Sequence, residues 1–541
     1  MLFKDFLLPM PTKGIHHKYK PNKNNIYVYY TIKAYRNAKG QPTSYCRSIG
    51  KKDIVTGKLI PNENYFEIFP DKKPKGLVMP TSKSKKQLAQ PAKIKQIKTY
   101  GDSAAMFGIA EQTGLLKILQ KCFPDKWESM LAISFYFLSH SNVMLYIDDW
   151  FELTNIPFSE SFDDVKCSKL FSSISYEERQ NFFAEWSRYR SEKEYMVYDV
   201  TSISTYSEKI SIAEWGYNRD NEDLRQYNCE MLLGLTTNIP IYYNIYNGSI
   251  PDKSHLQFML KNALNLDIKS LCFVFDCGFV TKDNLAFMLE NDYSFITSMP
   301  RIRKEFNELV DKAHDNITKI ENLHDDYDIY CKQIPVNLDG LDLWAHVCYC
   351  PDKNAKETTE LRRYLKKLKS ELKQMNNSKQ ITKKYRNYFV IDERSKSDFT
   401  YEINHEYVNQ KIKNMGFFIL LTNDQKINSN TILKNYRQKD IIEKHFHQLK
   451  NELEFNRIRT HSEQTTEGKM FVGFLALILR SAMLNLIKNN EETKQLTFDK
   501  VLIELKKIRS ITFENSKNEI LPLTNLQKKI LETLKIKIEK K

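Results

Sequence analysis

The stretch YMVYDVTSIS (Tyr195–Ser204), followed by CEMLLGLTTN (229–238) and IPIYYNIYNG (239–248), decides the fold class. Each piece is short, rich in β-branched and aromatic residues, and bounded by polar or turn-forming positions, which predicts three successive strands. A helical pattern, HLQFMLKNALN (255–265), leads into SLCFVFDCGF (270–279), whose unbroken apolar run reads as a strand buried on both faces. TKDNLAFMLEND (281–292) is then a second helix and YSFITSMP (293–300) a fifth strand. The order βββαβαβ specifies an α/β fold, a mixed sheet with helices packed against it.

Two acids fall inside this pattern. Asp199 lies on the first strand and Asp276 ends the apolar run of the fourth. A carboxylate in such a place is costly unless it is paired or metal-bound. The competing reading makes each a strand-end residue capping a turn, as Asp276-Cys277-Gly278 could.

A third acid sits in YRQKDIIEKHFHQLK (436–450). Read as one helix, it has a buried stripe of Ile442, Phe446, Leu449 and Leu453. Tyr436, Lys439, Glu443 and Lys450 then fall within about 60° of one another, a column of one aromatic, two cations and one carboxylate with Asp440 at its side. The bland alternative is a solvated face with weak surface pairs. His445 and His447, two apart, point to different faces and cannot share a metal, so they read as packing or phosphate contacts. Trp215, Tyr217 and Arg219, between the first two strands, could reach DNA, but a packed aromatic turn is the favoured reading.

Lys and Arg number 82 against 67 Asp and Glu, a formal charge of +15, which argues for a polyanionic partner such as nucleic acid. The nine cysteines include no CxxC pair, so neither a disulfide framework nor a zinc site is indicated and reduced cytosolic thiols fit. The opening MLFKDFLLPMPTKG lacks the apolar core of a secretory signal. Arg480 interrupts the apolar run 470–487, favouring a buried core helix over a membrane span, so no membrane partner is expected.

The chain divides by pattern into a small β-rich region, 1–70, built on the hairpin IYVYYTIKAYRNAKGQPTSYCRSIG and a candidate for DNA binding, and a lysine-rich linker, 71–100. A helical region, 101–190, follows as a candidate for DNA-end binding. Then come an α/β block with the first two acids, 191–300, an insertion, 301–414, a block with the third acid, 415–490, and a C-terminal helical region, 491–541. Within the insertion, Leu361, Leu365, Leu368 and Leu372 form a thin packing stripe on a strongly basic helix.

These blocks together resemble the DDE transposases of bacterial insertion sequences, in particular the insertion-sequence-four-like group with its RNase H-like catalytic domain. That group's signature is Tyr-x-x-Arg-x-x-x-Glu-x6-Lys. Tyr436, Glu443 and Lys450 match it in spacing, while Lys439 stands in place of the arginine and gives up bidentate phosphate binding. DVTSIS, AEWGYNRDNEDLRQ (213–226), FVFDCGFVTKDNL and GFFILLTND (416–424) occur in the expected order, so the resemblance covers roughly Tyr195 to Ile487.

The resemblance implies that Asp199, Asp276 and Glu443 are catalytic and hold two Mg²⁺ ions, with Mn²⁺ able to substitute. On the same resemblance, 191–300 and 415–490 are the two parts of a catalytic core and 491–541 is a candidate for dimerisation. It makes Tyr436, Lys439 and Lys450 DNA contacts, with Arg437 partly replacing the missing arginine. Its implied partners are double-stranded DNA, both terminal inverted repeats and target, and a second copy in a synaptic homodimer. The implied activity is cut-and-paste transposition, and the place of action is the bacterial cytoplasm, in association with the nucleoid. The 167 residues between Asp276 and Glu443 are similar to members that carry an insertion domain. Two alternatives stay open: a DNA-binding protein derived from a transposase but inactive, and an RNase H-like nuclease that cleaves without joining.

Overall fold

The computed structural model of the chain describes residues 6–20, 25–37, 40–75, 77, 93–190, 195–265, 272–324, 326–375, 380–395, 398–514 and 518–538. The polypeptide forms two compact units, Met1–Lys93 and Ile94–Lys541. In the first, the hairpin read from the sequence is present as β2 (Asn25–Arg36) and β3 (Pro42–Lys52), flanked by β1 (Ile15–Lys20) and β4 (Leu59–Pro61) in one antiparallel sheet ordered β1-β2-β3-β4. Helix α1 (Glu63–Ile68), capped by the Asn62 side chain, supplies Tyr65 and Phe66 to a core with Val28, Ile49 and Leu59. Ala38 and Lys39 of the hairpin turn, and positions 78–92 of the basic linker, lie outside the described residues.

The second unit opens with β5 (Ile94–Thr99) and six helices: α2 (Gly101–Gln112), α3 (Leu115–Cys122), α4 (Trp127–Ser139), α5 (Ile147–Leu153), α6 (Asp164–Ser173) and α7 (Tyr176–Arg190). The βββαβαβ succession follows as β6 (Tyr195–Ser204), β7 (Gln226–Gly234), β8 (Pro240–Asn247), α8 (Asp252–Asn265), β9 (Cys272–Phe275), α9 (Lys282–Glu290) and β10 (Ser294–Ser298). Strands β6, β7 and β8 are antiparallel, whereas β9 runs parallel to β6 and β10 parallel to β9. Every residue of β7 is buried, so the sheet is covered on both faces.

The insertion is not a separate body. After α10 (Lys304–Ala313) and the short β11 (Leu323–His324), strands β12 (Ile329–Leu338) and β13 (Leu341–Tyr349) join the main sheet through β16 (Phe417–Thr422). The complete order is β11-β12-β13-β16-β10-β9-β6-β7-β8. The reason lies in β13, where Leu343 and the run from Ala345 to Cys348 are buried on both faces, more apolar surface than a free hairpin could cover. Only the remainder packs apart: α11 (Pro351–Lys373), α12 (Lys383–Tyr388) and the hairpin β14 (Phe389–Ser395) and β15 (Asp398–Ile403), leading to α13 (His405–Lys413). Leu368 and Leu372 of the leucine stripe build a second core with Ile381, Tyr385 and Phe389.

Cys331 and Cys348 form a disulfide, contrary to the expectation of reduced thiols throughout. They are directly opposed on β12 and β13 with Cα atoms 4.2 Å apart, a pairing set by strand register and invisible in cysteine spacing.

The last part of the chain holds α14 (Ser429–Gln438), α15 (Ile441–His447), α16 (Glu463–Lys488), α17 (Phe498–Lys506), β17 (Arg509–Phe513), β18 (Asn518–Ile520) and α18 (Asn525–Thr533). The C-terminal region is therefore not purely helical. RSITF pairs with β5, the end of the stretch read as linker, in a sheet ordered β18-β17-β5. Helix α16 is long and apolar enough to cross a membrane, yet it is the central helix of the core, buried continuously from Gly468 to Met483. Its Arg480 is accommodated by an ion pair with Glu452 and by the Phe498 ring 3.8 Å away. Gly468 meets α6 so closely that a Cβ would collide with the Phe171 carbonyl oxygen. Gly468→Ala should therefore destabilise the protein by about 1–3 kcal/mol through overpacking, read as a lowered urea midpoint; an unchanged midpoint would show that α6 and α16 can separate without cost.

Candidate active site

Asp199 and Asp276 are brought level by strand register. The parallel pairing of β6 with β9 matches Tyr195 with Cys272, Met196 with Phe273 and Val197 with Val274, a constant offset of 77 residues. That offset is the separation of the two acids, so they stand side by side on adjacent parallel strands, Asp199 within β6 and Asp276 just past the C-terminal end of β9, the end at which α/β sheets place ligands. Asp276 precedes a short 3₁₀ turn, Cys277–Phe279, but its side chain makes no cap bond there. The carboxylate turns instead to Lys439, whose Nζ lies 2.9 Å from Oδ1, and to the Tyr436 hydroxyl, which donates across 3.4 Å. Tyr436 also donates to Ser298 Oγ at 2.8 Å.

Charge sets the character of this pair. Burial pushes Asp199 up to about 6, helped by the neighbouring charge of Asp276 and opposed by the Val200 amide, Arg219 and Lys439. The Val200 N–H donates to Asp199 Oδ1 at 2.8 Å. Burial pulls Lys439 down, but its hydrogen bond to Asp276 and the charges of Asp276, Tyr436 and Asp199 outweigh that, and its ammonium is held above the usual lysine range. Tyr436 is pushed up to about 12, chiefly by burial. The two aspartates open into a cleft of about 810 Å³ that Tyr217, Arg219, Asn228 and Lys253 also line. Arg219 is held there by an ion pair with Asp252 and a 3.4 Å bond to Ser202 Oγ.

The segment carrying the third acid is not one straight helix. It breaks at Lys439 and Asp440, where the Lys439 amide bonds Tyr436 O in a tighter turn, and it ends in a π-helical turn, Gln448–Glu452. The apolar stripe is intact, with Ile442, Phe446, Leu449 and Leu453 all buried. The polar column is not: Lys439 and Lys450 are buried while Glu443, on α15, is exposed. Among the described residues no group of three or more His, Cys, Asp or Glu lies close enough to hold a metal ion. Asp199 and Asp276 supply hard oxygen donors that suit Mg²⁺, but Glu443 does not join them as a ligand in this arrangement.

The family model of the transposase DDE domain matches residues 190–479, a span that contains all three acids. The chain belongs to the DDE transposases. No curated protein matches the sequence of this transposase. Among solved structures, a cryo-EM structure of a piggyBac transposase synaptic complex with hairpin DNA is similar at 10% identity over 75% of this chain and 70% of that one, with a TM-score of 0.34.

The remaining positions singled out in the transposase sequence fare unequally. Lys450 is buried and donates to Asp220 at 2.5 Å, beside Arg457, which bonds Glu222 at 2.7 Å and covers the Tyr206 ring. Arg437 lies over the Tyr327 ring at 4.7 Å, so Lys439 itself, and not Arg437, takes the place next to Asp276. His445 is a packing residue: it is buried, bonded to Ile441 O at 2.8 Å and to Asn238 O and Ser481 Oγ at 3.0 Å, and burial lowers its pKa. His447 is exposed. The expected packed aromatic turn is absent, since Trp215 and Tyr217 are 59% and 80% exposed.

Sequence reading missed Asp252, the partner of Arg219, and the buried Glu230, which accepts from the Tyr198 hydroxyl and Asn244 Nδ2 at 3.0 Å and lies 3.2 Å from His255 Nε2. The available signal was a glutamate inside CEMLLGL, a charge that a buried strand tolerates only with partners.

Because folding raises the Asp199 pKa from 3.8 to about 6, the folded state holds a proton that the unfolded chain releases in that window. Stability from this group is therefore lost as pH rises through the window. In metal-free buffer Asp199→Asn should remove that slope and be more stable than wild type at neutral pH by about 1–3 kcal/mol. Urea unfolding across the pH range checks this, and parallel curves for the two proteins would sink the assignment.

Proposed function

We propose that this transposase belongs to the insertion-sequence-four-like group and moves its element by cutting and joining DNA at one RNase H-like site. The observation that carries the proposal is the convergence on one point of Asp199, Asp276 and the signature residues Lys439 and Tyr436, drawn from β6, β9 and the α14–α15 junction. The sheet order β8-β7-β6-β9-β10, with the first three strands antiparallel and the last two parallel to β6, supports an RNase H-like core.

Asp199, Asp276 and Glu443 would hold Mg²⁺ in this reading, and the metal would activate the attacking hydroxyl and stabilise the leaving oxygen of an in-line displacement. Glu443 is four residues after Lys439, on the α15 segment that starts beside the Lys439–Asp276 contact, and a movement of α15 would have to bring it to the pair. Lys439 balances the charge of Asp276, Arg219 offers a guanidinium to a phosphate in the cleft, and Lys450 exchanges Asp220 for a second phosphate. The substrates are terminal inverted repeats and target duplex, brought together by a dimer of the chain.

Incubation with a linear duplex bearing the element's ends should give strand-transfer product with Mg²⁺ or Mn²⁺ and none with chelator. Asp199→Asn, Asp276→Asn and Glu443→Gln should each reduce cleavage by about a hundredfold or more while leaving end binding intact, since a metal ligand's charge goes with little change of shape. Residual cleavage by Glu443→Gln would remove Glu443 from the site. Binding without cleavage by the wild type would identify an inactive derivative, and cleavage without joining a nuclease.

Lys450→Ala should weaken end binding severalfold at low salt, with a smaller relative effect as salt rises. A band-shift titration at two ionic strengths checks this, and an unchanged affinity at both would leave Lys450 as the internal partner of Asp220 alone.

A further inference from the structure

Between β6 and β7 the chain exposes two large aromatic side chains on a backbone that is firmly held. Gly216, between Trp215 and Tyr217, approaches so closely that a Cβ would collide with the Gly248 carbonyl oxygen, and a Cβ on Gly248 would collide with that of Gln226. The buried Gln226 side chain donates to Tyr217 O at 2.8 Å, and its backbone exchanges bonds with Glu214 at 2.8 and 2.9 Å. The Glu214 carboxylate accepts from Asn247 Nδ2 at 2.9 Å and from the Ser249 hydroxyl. Directly after the rings, Asn218 donates to Ser204 Oγ at 2.9 Å and accepts from the Asp220 amide at 2.8 Å.

The exposure of the rings is therefore not slack in a loose loop. Among the described residues neither side chain has a hydrogen-bond, ring or cation partner, whereas Tyr206, at the start of the same connection, is covered by Arg457. Tyr217 also lines the cleft that holds Asp199 and Asp276, with Arg219 and Lys253 as its cations.

We infer that Trp215 and Tyr217 are a stacking platform for unpaired bases of the DNA strand that enters the Asp199–Asp276 cleft. This rests on the reading of the cleft as the DNA-processing site. Rigidly presented aromatic faces beside cations are what single-stranded nucleic acid binds, bases against rings and phosphates against positive charge. In a duplex those base faces are stacked on one another and closed to a side chain, so the platform selects strands that have come apart near the reacting phosphate. Pre-ordered backbone means that little conformational entropy is lost on binding.

Full-length protein titrated with a single-stranded oligothymidylate, and with a blunt duplex of equal length, tests the inference through tryptophan fluorescence and anisotropy of labelled DNA. Trp215→Ala and Tyr217→Ala should each lower affinity for the single strand by about tenfold and leave duplex affinity unchanged. Trp215→Phe and Tyr217→Phe, which keep a ring, should restore it. Wild-type single-strand affinity in the double alanine variant overturns the inference, as does an equal loss on both probes or failure of the wild type to bind the single strand. Absence of cleavage by wild-type protein would count against the proposed function alone, because the binding comparison is made without metal or turnover.

Discussion

The contact between Lys439 and Asp276 is the constraint on which the rest of the catalytic unit depends. The lysine side chain is only 8% exposed, and an ammonium so far from water needs a compensating charge. Asp276 provides it, and in doing so fastens the α14–α15 junction to the end of β9, 163 residues earlier in the chain. Tyr436 repeats the tie through Ser298 on β10. The long excursion through α10–α13 must leave the sheet and come back to this one point, which it does by way of β16, paired between β10 and β13.

Burial divides this pair unequally. Asp276 keeps 42% of its side chain exposed while its partner is covered, so the pair is anchored on the lysine side and open on the carboxylate side. Asp199 next to it is held up at about 6 by its own burial, while Asp276 is already engaged by Lys439. The two acids are thus unequal before any ligand arrives. That inequality follows from one acid sitting within a strand and the other at the strand's end.

Much of this was legible in the sequence because it depends on local pattern. The strands and helices from Tyr195 to Ser298 fall where β-branched runs and helical periodicity put them, and the cost of a charge in YMVYDVTSIS and CFVFD marks Asp199 and Asp276. What was not legible depends on pairing between distant segments. That β12 and β13 extend the main sheet, that Arg509–Phe513 pairs with Ile94–Thr99, and that Cys331 faces Cys348 are all matters of register. The contact of Lys439 at the helix break with Asp276 belongs to the same class, since it joins segments far apart in the chain. Trp215 and Tyr217 were misread because aromatic residues in a turn usually pack; here the glycine between them uses the close approach for backbone, leaving the rings outside.

The charges around the cleft carry one more consequence. Lys439, Lys450, Arg457 and Arg219 are matched one to one by Asp276, Asp220, Glu222 and Asp252. These pairs leave little net charge among themselves although the chain carries +15 overall, so the positive surplus lies elsewhere, including the lysine-rich tract at 71–100 and the basic helix α11. On the proposed function, a phosphate reaching the cleft would have to replace a carboxylate that already satisfies the cation, and the free energy of that contact would be a difference between two good partners. Each such exchange would add only a severalfold gain in affinity, and only when the phosphate arrives in the right place, which would make the ladder of pairs a filter for position. On the proposed function, long-range attraction and local selection would be separated along the chain, the net surplus of cations serving the first and the paired cations the second.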